Sequence, residues 1–233
     1  MGGDRMVLRA ELGQREQTVI AHTTALSVES VVVRTDADLQ IGDVVDLRLS
    51  LRRLLPPIAL EARVVAKDLG AGHGYFPGVT LAIEPASQGL GRLREVLGRP
   101  VTAGASRSIL VVEDSALMRD FMQAGAERVS EGEVRFTVDT VESAEAALTR
   151  LAEREYDLAL VDLYLPTAMS GADLVRTVRA GGGDVAMIGF SIGGPAARDA
   201  FLDAGADVFL DKPVNMKDVF ATLGRLTPTS KEV

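Results

Sequence analysis

Four short apolar runs in the second half of the chain each end on residues that can do chemistry. Ile109–Val112 runs into Glu113-Asp114, Leu158–Val161 into Asp162, Ala186–Phe190 into Ser191, and Val208–Leu210 into Asp211-Lys212-Pro213. Carboxylates gathered at one place repel one another unless something neutralises them. A hard divalent cation does so, and Mg²⁺ favours a few carboxylates completed by water and phosphate oxygens. A carboxylate held in this way is a nucleophile for an incoming phosphoryl group, with the cation and a lysine sharing the developing charge. A hydroxyl such as that of Ser191 donates to a phosphoryl oxygen. Singly, each acidic residue reads equally well as a solvated loop charge or a helix N-cap, Ser191 as a plain loop serine and Lys212 as a surface lysine. Their joint occurrence, one chemical role per run end, points to phosphoryl chemistry.

The elements that must position these residues are legible as alternating patterns. Runs that are apolar at every position suit strands buried on both faces. Between them lie helical stripes: Leu117 to Val129, then Ala144, Ala147, Leu148 and Leu151, then Leu174, Val175 and Val178, then Ala196 to Ala204, and finally Asn215 to Leu223. With Val134–Val138 added, five strands alternate with five helices. The order predicts a doubly wound α/β domain, an open five-stranded parallel sheet with helices on both faces and its working site at the carboxyl ends of the strands.

The first hundred residues follow another period. Val45 to Arg52 alternates apolar and polar, as do Leu60 to Val65, the mark of half-buried strands. Thr18–Ala25, Ser30–Arg34 and Gly78–Ile83 are further strands, Leu54-Leu55-Pro56-Pro57 reads as a break, and Asp36 to Gly42 and Gly70 to Pro77 are turn-rich. A helix is expected from about Pro85 to Leu97. Several short strands with turn signals predict a small all-β sandwich or barrel. The domains are expected at 1–98 and 108–227, joined by a linker at 99–107 that holds Pro100 and Gly104 and followed by a tail at 228–233.

Charge separates the same halves. Residues 1–105 carry 12 Lys/Arg and 12 Asp/Glu, whereas residues 106–233 carry 13 and 21, so the net charge of −8 resides in the second half. An acidic domain is poorly suited to nucleic acid, whose phosphates require cations, so no DNA partner is expected. The chain has no Cys, which excludes disulfides and thiolate metal sites. No apolar run approaches the ~18 residues of a membrane span, and Asp4, Arg5, Arg9 and Glu11 interrupt any signal-peptide core. A cytoplasmic protein without membrane insertion is the expectation. His22 and His73 fall in no motif.

The second half resembles the receiver domain of two-component response regulators, flavodoxin-like in fold. The resemblance rests on Val111-Val112-Glu113-Asp114-Ser115, Val161-Asp162-Leu163-Tyr164-Leu165-Pro166, Ser191 and Asp211-Lys212-Pro213. It implies that Asp162 is the phosphoacceptor and that Glu113, Asp114, Asp162 and the backbone carbonyl of Tyr164 hold Mg²⁺. It further implies that Lys212 contacts the phosphoryl group, that Ser191 is the switch hydroxyl and that Phe209 is the aromatic that changes rotamer on switching. The partner it implies is a sensor histidine kinase or phosphotransfer protein, and it leaves a homodimer open. Such a protein is a signalling protein whose receiver promotes its own phosphoryl transfer and dephosphorylation. Two departures stand out: the loop from Asp162 to Gly171 is one residue longer than the commonest form, and Ile192 replaces the usual small residue beside the switch hydroxyl, where it is expected to cover part of the approach to Asp162.

The first half resembles a PilZ domain, a small barrel known for binding cyclic di-GMP. Arg5-Met6-Val7-Leu8-Arg9 has the RxxxR form, and Ala25-Leu26-Ser27-Val28-Glu29-Ser30 stands where the family has [D/N]xSxxG. By that resemblance Arg5, Arg9 and Ser27 are the ligand-binding candidates. Ala25 and Ser30 replace the acidic or amide residue and the glycine, and Glu29 adds negative charge. The sequence therefore favours a degenerate PilZ-like barrel that signals through contacts with an unidentified downstream protein. A cyclic di-GMP receptor gated by phosphorylation, and a receiver-like scaffold that never carries phosphate, are the alternatives.

Overall fold

The computed structural model describes residues 5–14, 17–68, 77–98, 105–130, 134–213 and 215–226. His73 and the tail at 228–233 lie outside them. The chain divides into two compact units, one comprising residues 1–51 and 55–100 and the other residues 52–54 and 101–233.

The first unit is a closed antiparallel barrel. Its strands are β1 (Arg9–Gln14), β2 (Gln17–Leu26), β3 (Ser30–Arg34), β4 (Val44–Leu51), β5 (Leu55–Asp68) and β6 (Gly78–Ile83), and α1 (Leu90–Gly98) follows. The order around the barrel is β1-β2-β3-β6-β5-β4, closed by β1 on β4 with Leu12 opposite Leu47. Period-two alternation turns Leu47, Leu49, Leu60, Ala62, Val64 and Leu81 inward, all buried. Closure removes the edge strands that a sandwich would have to protect.

Three local features differ from the sequence expectations. β1 is an additional strand, carrying only Ala10 and Leu12 on its buried face among Glu11, Gly13 and Gln14. The break expected at Leu54 to Pro57 lies at Arg52 to Leu54, where Arg53 takes a left-handed φ of 59°. Pro56 and Pro57 belong to β5 and are exposed; the register shift between Leu49 and Leu51 on β4 lies opposite them and tolerates residues without a backbone donor. Helix α1 starts at Leu90 rather than near Pro85, because Ser87 holds the preceding turn to β5 through hydrogen bonds with the Glu61 amide and carbonyl at 2.9 and 3.0 Å.

The second unit alternates β7 (Ala105–Val112), α2 (Ala116–Ser130), β8 (Val134–Val141), α3 (Ala144–Glu153), β9 (Leu158–Asp162), α4 (Gly171–Ala180), β10 (Ala186–Ser191), α5 (Gly194–Asp203), β11 (Val208–Asp211) and α6 (Met216–Arg225). The five-stranded sheet has the order β11-β10-β9-β7-β8, and every pairing in it is parallel. β7 begins at Ala105, inside the stretch expected to be linker. All five residues of β9 are buried, as the continuous apolar run requires of a central strand. From β7 the chain winds first outward to β8 and then back across to β9. The carboxyl ends of β7 and β9 therefore flank the point where the winding reverses, the place where open α/β sheets put their ligands.

Candidate functional site

The acidic residues lie at that point. Glu113 follows β7 directly, and its amide donates to the carbonyl of Val141 at 3.0 Å, tying the loop to the end of β8. Asp162 is the last residue of β9. The loop after Asp162 is held by its far end: the Gly171 amide donates to the Leu163 carbonyl at 3.0 Å, and α4 opens with a capping box between Ser170 and Asp173. Gly171 is needed there, because a Cβ at that position would come within 1.9 Å of the Asp162 carbonyl oxygen.

Lys212 joins the two buried carboxylates. Its Nζ donates to Asp162 Oδ2 at 2.7 Å and to Glu113 Oε2 at 2.8 Å. Glu113 and Asp162 are 2 % and 6 % exposed, so these charge-assisted bonds lie in a shielded setting where they are stronger than on an open surface. The other oxygen of Glu113 accepts the Ser115 amide at 3.2 Å, and Asp162 Oδ1 accepts the Tyr164 amide at 3.3 Å. The Phe190 ring lies beneath the ammonium, with Nζ 4.6 Å from its centroid, a cation–π contact on a fully buried ring. The Lys212-Pro213 peptide is cis.

Burial dominates the electrostatics. It raises the pKa of Glu113, against the hydrogen bonds from Lys212 and the Ser115 amide. Burial works the other way on the Lys212 ammonium, but the bonds and charges of Asp162 and Glu113 together outweigh it and leave its pKa raised. Asp211, next in the chain, is pushed up to about 6 by burial, against the opposing charge of Arg198.

Glu113, Asp114 and Asp162 each place a carboxylate oxygen within 4.8 Å of the other two. The donors are all hard oxygens, Asp114 is exposed to solvent, and the three carboxylates outnumber the two cations described beside them, the Lys212 ammonium and the Arg119 guanidinium. Such a set fits a small hard dication that keeps several waters, as Mg²⁺ does.

The remaining residues expected on this side are placed as follows. Ser191 is fully buried at the end of β10, and its Oγ accepts the Gly193 amide at 3.3 Å. Phe209 is buried on β11 and packs against Phe201 with ring centroids 5.9 Å apart. The Tyr164 side chain is largely exposed. Ile192, expected to cover part of the approach to Asp162, is 79 % exposed. Every residue of β10 is buried up to Ser191, and Ile192 lies just past the strand end, where the chain emerges to solvent.

In the barrel, two of the three candidate ligand residues, Arg9 and Ser27, are engaged with their own chain. Arg9 pairs with Glu11 at 3.1 Å. Ser27 Oγ accepts the Ser30 amide at 2.9 Å and the Glu29 amide at 3.2 Å, and donates to the Ser30 carbonyl at 3.1 Å, so it builds the turn between β2 and β3. Arg5 is exposed. His22 lies on β2, opposite Arg9 and Arg34.

Sequence reading missed three contributors to the acidic site: Phe190 beneath Lys212, Gly171 against Asp162, and Arg119. From α2, Arg119 Nη1 donates to the carbonyl oxygens of Glu113 at 2.7 Å and Asp114 at 2.8 Å. The six-residue spacing of Arg119 from Glu113 is the only trace such a contact leaves in sequence.

Residues 109–224 match the model of the response regulator receiver domain. The chain is 38% identical over 119 residues to the two-component response regulator PhoP of Pseudomonas aeruginosa, covering 51% of this chain and 50% of PhoP. It is 34% identical over 120 residues to the two-component response regulator ORR41 of Oryza sativa, covering 50% of this chain and 91% of ORR41. Against the response regulator protein PmrA of Pseudomonas aeruginosa the identity is 35% over 120 residues, covering 51% of this chain and 52% of PmrA. The chain thus spans about half the length of PhoP and PmrA and nearly all of ORR41.

Proposed function

Since the chain belongs to the two-component response regulators through its receiver domain, we propose that it accepts a phosphoryl group on Asp162 from a sensor histidine kinase or a phosphotransfer protein and passes the signal on through its barrel. The observation that carries this reading is Lys212, hydrogen-bonded at once to Asp162 and Glu113 at the switch point of the sheet.

In this reading an Asp162 carboxylate oxygen attacks phosphorus as the bond from phosphorus to the donor breaks, and the phosphoryl group becomes an acyl phosphate. Glu113, Asp114, Asp162 and the Tyr164 carbonyl would hold Mg²⁺, which when bound offsets the repulsion between carboxylate and phosphoryl oxygens. Lys212 stays beside the reacting oxygens and offers its ammonium to the charge that builds on the phosphoryl group. Ser191 donates its hydroxyl to a phosphoryl oxygen, and Phe209 moves with it. Both are buried, so that step needs a shift of the β10 end. The receiver also promotes loss of its own phosphoryl group to water.

The barrel, residues 1–98 in this scheme, is a degenerate PilZ-like module for protein contact, joined to the receiver by a linker that gives way to β7 at Ala105. In support, Ser27 and Arg9 already have partners within the barrel. No helix among the described residues is long and apolar enough to cross a membrane; a cytoplasmic place is part of the proposal.

The test is incubation of the purified chain with a small phosphodonor, with Mg²⁺ and with a chelator, followed by peptide mapping. One phosphoryl group per chain is expected, only with Mg²⁺, on the peptide that contains Asp162. Phosphate on a different peptide would refute the assignment.

A further inference from the structure

We propose that Arg119 is a positioning residue for the acidic loop and thereby for the metal. The inference rests on the reading of Glu113, Asp114 and Asp162 as a Mg²⁺ site.

Arg119 lies in the second turn of α2, partly buried, and a single guanidinium nitrogen donates to two successive backbone carbonyls. Those carbonyls belong to Glu113 and Asp114, the two acidic residues that follow β7. One nitrogen bonded to both fixes the planes of two adjacent peptide groups, and so the direction in which each Cα–Cβ bond leaves the chain. For Glu113 this repeats what other bonds secure, since its side chain is held by Lys212 and by the Ser115 amide. Asp114 differs. It is exposed, and the contacts resolved for it run through its backbone rather than its carboxylate. Its carboxylate points at the other two because the loop points it there, and Arg119 holds the loop. Groups that orient metal ligands in this way commonly matter by roughly 10–100-fold in metal affinity.

The sign of the effect separates positioning from plain electrostatics. A guanidinium near a cation site repels the cation, so by Coulomb's law alone its removal tightens Mg²⁺ binding. Positioning demands the reverse.

The experiment is calorimetric titration of the full chain with Mg²⁺, as wild type, Arg119→Ala, Arg119→Lys and Asp114→Asn, with thermal melting of each in chelator. Arg119→Ala is expected to weaken Mg²⁺ binding by roughly 10–100-fold. Arg119→Lys, whose ammonium can still donate to both carbonyls, is expected to recover part of the loss. In phosphodonor assays the half-saturating Mg²⁺ concentration rises for Arg119→Ala while the rate at saturating Mg²⁺ stays near wild type. Mg²⁺ binding that is unchanged or tighter in Arg119→Ala, with wild type binding and Asp114→Asn impaired, overturns the role of Arg119 and leaves the metal site standing. Wild-type protein that binds no Mg²⁺ overturns both. Should Arg119→Ala melt below the assay temperature, Arg119→Lys decides alone: affinity equal to or above wild type together with a lowered melting temperature would make the contact purely structural.

Discussion

Asp114 and Glu113 are neighbours in sequence with opposite environments, and each carries its own expectation. Asp114 is exposed, so Asp114→Asn should leave unfolding free energy within about 0.5 kcal/mol of wild type. It should nonetheless weaken Mg²⁺ at least tenfold or so, a ligand counting for no less than the groups that orient it; calorimetry alongside denaturant titration checks the pair. Tyr156 supplies a test independent of the site. It is 2 % exposed and donates to Asp139 at 2.5 Å, and burial with that bond pushes its phenol up to about 12 from 10.0. A pKa raised in the folded state means stability that is intact below about pH 10, where both states are protonated. It is lost as pH climbs towards about 12, because the unfolded chain ionises first. Stability measured across that window should fall in wild type and fall less steeply in Tyr156→Phe. At position 192 the exposed side chain implies that Ile192→Ala changes the small-donor labelling rate by no more than a factor of about two, the effect of an ordinary surface substitution. A marked acceleration would mean that the isoleucine does cover the acceptor. The chemistry-bearing residues were legible in sequence because each ends an apolar run and sheet order carries them together. Arg119 and Phe190 were not, since nothing in a linear chain distinguishes an arginine bound to two carbonyls from a solvated one, or a ring under an ammonium from any other core ring.

At the level of elements, the central strand and its following loop form one mechanical unit. Gly171 opens α4 directly against the Asp162 carbonyl, and a methyl group there has 1.9 Å where it needs about twice that. Gly171→Ala should therefore displace the end of β9 or the start of α4, cost about 1–3 kcal/mol as overpacking does, and depress labelling of Asp162 at saturating Mg²⁺. Denaturant unfolding and a labelling time course read the two effects. Strands that are apolar at every position were recognisable because burial on both faces leaves no other choice. β1 was not, because two inward residues, Ala10 and Leu12, do not make a period. The strand exists because β2 and β4 supply partners on both sides. The prolines of β5 misled for a related reason: they read as a break, yet the neighbouring register shift makes room for them.

For the whole molecule the question is what the barrel contributes. A dinucleotide carries two phosphates and two bases, and binding it in water calls for several charge-assisted bonds at about 1.5–3 kcal/mol each. Arg9 would have to leave Glu11, Ser27 would have to give up the turn it builds, and Ala25 offers no polar group. Titration with cyclic di-GMP at low micromolar concentration should therefore give no saturable signal, with or without phosphate on Asp162. A saturable signal lost in Arg5→Ala and Arg9→Ala would restore the receptor reading. The charge asymmetry between halves was readable from composition, and it coincides with the two units of the fold. The closed barrel was expected from the likeness to a PilZ barrel rather than from the alternation, which a sandwich shares, and the structure closes it by pairing β1 with β4. Whether the signal enters at Asp162 is decided by intact-mass analysis of wild type and Asp162→Asn after incubation with a small phosphodonor and Mg²⁺. Wild type should gain one phosphoryl group and Asp162→Asn none. Equal labelling of the two proteins, or none in wild type at saturating Mg²⁺, would contradict the assignment.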